Sequence, residues 1–124
     1  MEKVNDVTYQ IIGAAYKIHS ALGPGLLENT YQQCLYYVLK KEGFFVENEK
    51  KLPLIFEGVK LETGYRIDLF VENKVIVEIK AVDAFTDVHL AQVMTYLKLS
   101  RCKIGLLLNF NVADMKKGIK RIII

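Results

Sequence analysis

The chain has 124 residues, a length that suits one domain over 1–124 with a core that needs no disulfide or metal staple. Its 52% hydrophobic and 25% charged content excludes a disordered or fibrous chain. A formal net charge of +3 permits contact with a polyanion without demanding it, and no run of about 18 apolar residues offers a membrane span.

The opening Met1–Asp6 lacks an apolar run, so no signal peptide is expected and the expected location is the cytoplasm. Residues 5–21 then place Val7, Ile11, Ala14, Ala15 and Ile18 at helical spacing, with Asn5 or Asp6 as the expected cap. Leu22-Gly23-Pro24-Gly25 breaks that helix. A second helix follows through Leu27, Tyr31, Leu35, Val38 and Leu39, and ends before Gly43. Cys34 lies in it, and Cys102 comes later beside a strand. Both read as small buried hydrophobes rather than a metal or disulfide pair.

Over residues 44–57 the period changes to that of strands, with a break or an edge at Pro53. Glu62-Thr63-Gly64 reads as a turn. Tyr65–Val71 and Lys74–Lys80 alternate and form a hairpin across Glu72-Asn73. Helical spacing returns over 86–100, the apolar run 103–110 suits a strand covered on both faces, and 119–124 adds a short strand. The order predicts an α/β (α+β) chain: one mixed sheet flanked by helices.

The hairpin carries the chemistry. In Val75-Ile76-Val77-Glu78-Ile79-Lys80, Val75, Val77 and Ile79 share the core face, while Ile76, Glu78 and Lys80 share the other. The preceding strand is expected to put Arg66, Asp68 and Phe70 on one face, with Ile67, Leu69 and Val71 on its reverse. Charges on so apolar a strand are costly unless they are paired or bind a metal. Asp68 and Glu78 on neighbouring strands would offer oxygens to a hard divalent cation, with the Lys80 ammonium beside it. The competing reading is a strand-to-strand ion pair on a solvated face. Directly opposed antiparallel residues share a face, so the metal reading requires an odd number of loop residues, such as Glu72-Asn73-Lys74.

The set Asp68, with Ile67 in the variable proline position, and Glu78-Ile79-Lys80 resembles the signature of the PD-(D/E)XK nuclease superfamily. Gly25-Leu26-Leu27-Glu28-Asn29-Thr30-Tyr31, after His19–Pro24, is similar to the motif of its GxxExxY family. The resemblance covers essentially the whole chain. It implies a restriction-endonuclease-like αβββαβ core with an extra N-terminal helix. By that resemblance Asp68, Glu78 and the Ile79 backbone carbonyl would bind Mg2+, or Mn2+ in its place. Lys80, Glu28 and Gln92 would be catalytic, and Tyr96 and His89, each about one helical turn from Gln92, would touch substrate. Tyr31 is expected to pack and to hydrogen-bond, and His19 to be structural.

The activity implied is hydrolysis of nucleic-acid phosphodiester bonds, DNA first, through a metal-activated water. The alternative is a non-catalytic nucleic-acid-binding or protein-interaction module on the same fold. Lys40-Lys41, Lys50-Lys51, Lys116-Lys117 and Lys120-Arg121 are candidate phosphate contacts, equally explained as solvated helix ends and turns. So short a chain leaves little room for a recognition domain, which points to a homodimer or a partner protein as the source of specificity.

Overall fold

A computed structural model describes residues 3–124, so the first two residues of the opening segment lie outside the described part. Helix α1 (Val4–Leu22) buries Val7, Ile11, Ala14, Ala15 and Ile18 along one stripe. Lys3, not Asn5 or Asp6, occupies its N-cap position and offers no side-chain cap. The helix simply starts earlier, with Val7 N–H donating to the Lys3 carbonyl at 3.0 Å, which leaves Asp6 inside the first turn to complement the helix dipole. Helix α2 (Glu28–Lys41) follows the Gly23–Leu27 link. Tyr31 packs and hydrogen-bonds as expected. Its hydroxyl donates to the Gly23 carbonyl at 2.6 Å and accepts from Leu26 N–H at 3.1 Å. Its ring stacks on Phe110 at 4.5 Å. His19 is structural too, with Nε2 2.7 Å from the Val112 carbonyl.

The strands are β1 (Val46–Lys51), β2 (Leu54–Phe56), β3 (Val59–Leu61), β4 (Arg66–Val71), β5 (Val75–Lys80), β6 (Ile104–Asn109) and β7 (Ile119–Ile123), with helix α3 (Asp87–Ser100) between β5 and β6. The main sheet runs β1-β4-β5-β6-β7, and only the β5–β6 pair is parallel. That pair requires the α3 crossover. Pro53 separates β1 from β2 as expected. The small β2–β3 hairpin is an addition, turned at Glu57-Gly58, both with positive φ (51° and 78°).

Helices α1 and α2 cover one face of the sheet, over Leu69, Val71, Val75, Val77, Ile79, Leu106 and Leu108. Helix α3 covers the other, where Val93, Tyr96 and Leu97 meet Phe70, Ile76 and Leu107. Both faces of β5 are therefore core, not one. Gly105 permits the close approach of α3, because a Cβ there would sit 2.9 Å from Val93 Cγ1.

The simple alternation expected in β4 fails at one point. Ile67 packs with Phe70 under α3 rather than with Leu69 and Val71. The cause lies across the ladder. Glu49 of β1 has φ 53°, in the left-handed region, and the pairing passes from Asn48↔Leu69 to Lys50↔Ile67 with no Glu49–Asp68 step. The strand turns over at Asp68.

Candidate functional site

The hairpin between β4 and β5 decides whether the two carboxylates can meet. Glu72 and Asn73 have φ of 54° and 53°, and Lys74 N–H closes the turn onto the Val71 carbonyl at 3.0 Å. Glu72 is held in that strained backbone from both ends: its N–H donates to the Phe45 carbonyl at 2.8 Å, and its Oε2 accepts from Phe45 N–H at 2.6 Å. Lys74 is an extra residue before the first pair, Val71↔Val75, so the loop holds three residues, Glu72-Asn73-Lys74. Continued from Leu69↔Val77, that register sets Asp68 opposite Glu78. The parity condition is met.

The β4–β5 ladder itself stops at Leu69↔Val77. Beyond it the two carboxylates enter the gap and take the place of backbone carbonyls. Asp68 N–H donates to Glu78 Oε2 at 2.7 Å, and Ile79 N–H donates to Asp68 Oδ2 at 2.8 Å. On an extended strand the N–H and C=O of one residue point to the same side, so the Ile79 carbonyl also faces this gap.

Glu78 is only 3% exposed. Burial, then the neighbouring Asp68 charge, push its carboxyl up to about 8. Burial likewise raises Asp68, against the lowering pull of the Ile79 N–H and the Lys80 charge. The ion pairs among the described residues are Lys50–Glu47, Lys60–Glu62 and Arg66–Glu49, none of which involves Asp68, Glu78 or Lys80. The Lys80 ammonium instead donates to Gln92 Oε1 at 3.2 Å, and Gln92 Nε2 donates to the Tyr96 hydroxyl at 3.2 Å. A strand-to-strand salt bridge on a solvated face is therefore not what these residues form.

Helix α3 thus brings Gln92 and Tyr96 to the cluster. His89 serves its N-terminus: Nδ1 accepts from Thr86 N–H at 3.0 Å, while Thr86 Oγ1 accepts from His89 N–H at 3.3 Å. This reciprocal cap occupies Nδ1 and leaves the ring proton on Nε2. Glu28 stands exposed at the first position of α2 with no hydrogen bond to the cluster, yet its charge raises both Asp68 and Glu78.

A cleft of about 310 Å³ opens over Asp68, lined also by Gln32, Glu49, Tyr65, Arg66 and Tyr96. Gln32 is buried and donates to Asn48 Oδ1 at 2.9 Å and to the Asp68 carbonyl at 3.4 Å. Its spacing of four from Glu28 was the available signal. Glu49 gave none, since only its left-handed backbone and the missing ladder step bring it there. Asn109, 3% exposed at the end of β6, fixes the loop after Lys80: Oδ1 accepts from Val82 N–H at 3.1 Å and from Asn111 N–H at 3.1 Å, and Nδ2 donates to the Val82 carbonyl at 2.8 Å.

The donor set fits a hard divalent cation. Two desolvated carboxylates and a carbonyl face one gap, and one or two carboxylates suffice when waters and phosphate oxygens complete the shell. Among the described residues no three His, Cys, Asp or Glu side chains converge as a metal-holding group, so Glu28 is not drawn in as a third ligand.

A family model described as the PD-(D/E)XK nuclease superfamily matches residues 5–122. The chain belongs to the PD-(D/E)XK nuclease superfamily. Searches of curated proteins and of solved structures return no match. The three helices, mixed five-stranded sheet and small second sheet form an α+β fold consistent with the restriction-endonuclease-like members of this superfamily. Its expected core order appears here as α2-β1-β4-β5-α3-β6, with α1 in front and the β2–β3 hairpin inserted. Superfamily members are generally nucleases, and they usually use divalent metals. Among the described residues, no helix is long and apolar enough to cross a membrane.

Proposed function

We propose that this PD-(D/E)XK protein is a cytoplasmic nuclease that hydrolyses nucleic-acid phosphodiester bonds, DNA first, with Mg2+ or Mn2+ at Asp68, Glu78 and the Ile79 carbonyl. Within the superfamily we assign it to the GxxExxY family on Gly25, Glu28 and Tyr31. The observation that carries the reading is the gap at the top of β4 and β5: a buried and a half-buried carboxylate, both with raised pKa and neither in a direct ion pair, and an ammonium held beside them by Gln92.

When bound there, a divalent cation supplies the charge that neutralises the scissile phosphate and acidifies a water. The chain's own residues do the rest. Glu78, whose carboxyl burial pushes up to about 8, would have to be deprotonated to hold a cation. Lys80, fixed by Gln92, offers its ammonium to the phosphate oxygen on which negative charge grows. Gln92 is held in turn by Tyr96, so the lysine's reach is set by α3. Glu28, at the start of α2, orients water.

The test is cleavage of plasmid DNA and of labelled DNA and RNA strands, with magnesium or with excess chelator. Cutting should require the metal, and Asp68→Ala and Lys80→Ala should each lower it by about 100-fold or more. Full activity in chelator, or unchanged activity in either variant, would overturn the proposal. Binding without cutting would favour a non-catalytic nucleic-acid module.

A further inference from the structure

The outer edge of the cleft carries a charge arrangement that the cluster itself does not use. Lys51 and Arg66 are direct partners at the end of the β1–β4 ladder. Opposed antiparallel residues project to one face, and like charges placed so repel. No packing gain offsets that repulsion, because both side chains are exposed. Both line a cleft of about 390 Å³ with Glu62 and Gly64. Arg66 and Gly64 also line the cleft that holds Asp68. The two clefts therefore share a wall at Arg66, two residues along β4 from Asp68.

The partners of this pair are incomplete. Arg66 Nη1 meets Glu49 Oε1 at 3.1 Å, with side chains 57% and 43% exposed, so the pair stands largely open to water and one carboxylate oxygen leaves most of the five guanidinium donors to other partners. Among the described residues Lys51 makes no ion pair, and Glu62 lies toward Lys60 at 4.0 Å. Four carboxylates, Asp68, Glu78, Glu28 and Glu49, surround the inner cleft or act on it electrostatically. A polyanion entering there needs cations at the mouth as well as Lys80 within. A planar fork beside a mobile ammonium suits the two free oxygens of a phosphodiester.

We propose that Arg66 and Lys51 form a phosphate-binding pair that grips the nucleic-acid backbone beside the scissile bond, with Arg66 exchanging Glu49 for a phosphate as the strand enters. The role rests on the nuclease reading above, and it concerns affinity rather than the chemical step.

Fluorescence anisotropy in chelator, with labelled single-stranded and duplex DNA and RNA and a salt titration for each, tests it on the full chain. Arg66→Ala and Lys51→Ala should each weaken binding roughly five- to twentyfold and flatten the dependence of log affinity on log salt by about one contact. Arg66→Lys should recover part of the loss. Glu49→Gln breaks the same ion pair but keeps the cation, and it should bind at least as tightly as wild type. Wild-type affinity and slope in Arg66→Ala, or a loss in Glu49→Gln equal to that in Arg66→Ala, would overturn the pair. Should the wild type still cut in magnesium, only the pair falls. A wild type that neither binds nor cuts any of these strands would overturn both readings.

Discussion

At 3% exposure and beside Asp68, the Glu78 carboxyl titrates near 8 instead of near 4.5, and that difference links the site to stability. Below the unfolded value both states are protonated and the folded chain bears no penalty. As pH rises toward the folded value, the unfolded chain ionises first, so cation-free stability falls across that window and levels off above about 8. The loss should amount to a few kcal/mol, at about 1.4 kcal/mol for each tenfold difference in proton affinity. Urea melts in chelator from acid to mildly alkaline pH should show this decline in the wild type and a much shallower one in Glu78→Gln; stability rising with pH would contradict it. On the proposed reading Gln92 acts through Lys80, whose ammonium it holds. Gln92→Ala should cost about 10- to 100-fold in cleavage rate while changing stability by less than about 1 kcal/mol, to be read from single-turnover kinetics beside thermal melts. Asp68, Glu78 and Lys80 were legible in the sequence as charges on apolar strands, and Gln92 and Tyr96 through the family resemblance. Gln32 sits at a readable helical spacing from Glu28, but that spacing alone singles out no role. Glu49 was not legible, because its place depends on a left-handed residue that no local pattern announces.

Among the elements, the strand ends do the positioning. The extra hairpin residue Lys74 sets Asp68 against Glu78, and the gap above Leu69↔Val77 gives their carboxylates backbone donors instead of ladder bonds. The odd loop could be stated as a requirement from sequence; its realisation depended on the Phe45–Glu72 contacts, which are tertiary. The reversal of Ile67 and the β2–β3 hairpin escaped the period-two reading, the first because β1 distorts β4 from outside. The second is different in kind: Glu57-Gly58 was a turn signal at the very end of the strand-like stretch 44–57. Parallel pairing of β5 with β6 leaves the following loop to be tied down separately, and Asn109 does it. Gly118 lets the chain pass, since a Cβ there would collide with the Asn109 carbonyl. Asn109→Ala strips partners from Val82 and Asn111 and should cost about 2–4 kcal/mol in denaturant melts, with faster amide exchange over residues 81–86. Unchanged protection of that loop would show that Asn109 does not hold it.

Over the whole molecule, two helices on one face and one on the other bury a sheet from both sides, and the charges sit where that burial is interrupted. The net charge of +3 is small, so attraction to a polyanion must come from local arrangement rather than from the overall field. The cleft gathers more carboxylates than cations: Asp68 and Glu78 make no direct ion pair and only the Lys80 charge offsets them from nearby, a balance that a bound cation would complete. The most direct measurement is an anomalous difference map from crystals grown with manganese. It should show a peak touching the carboxylates of Asp68 and Glu78, and that peak should vanish in Asp68→Ala. A map with no peak there, and with Lys80 turned away from Gln92 to pair with the two carboxylates, would contradict a metal-dependent nuclease centre.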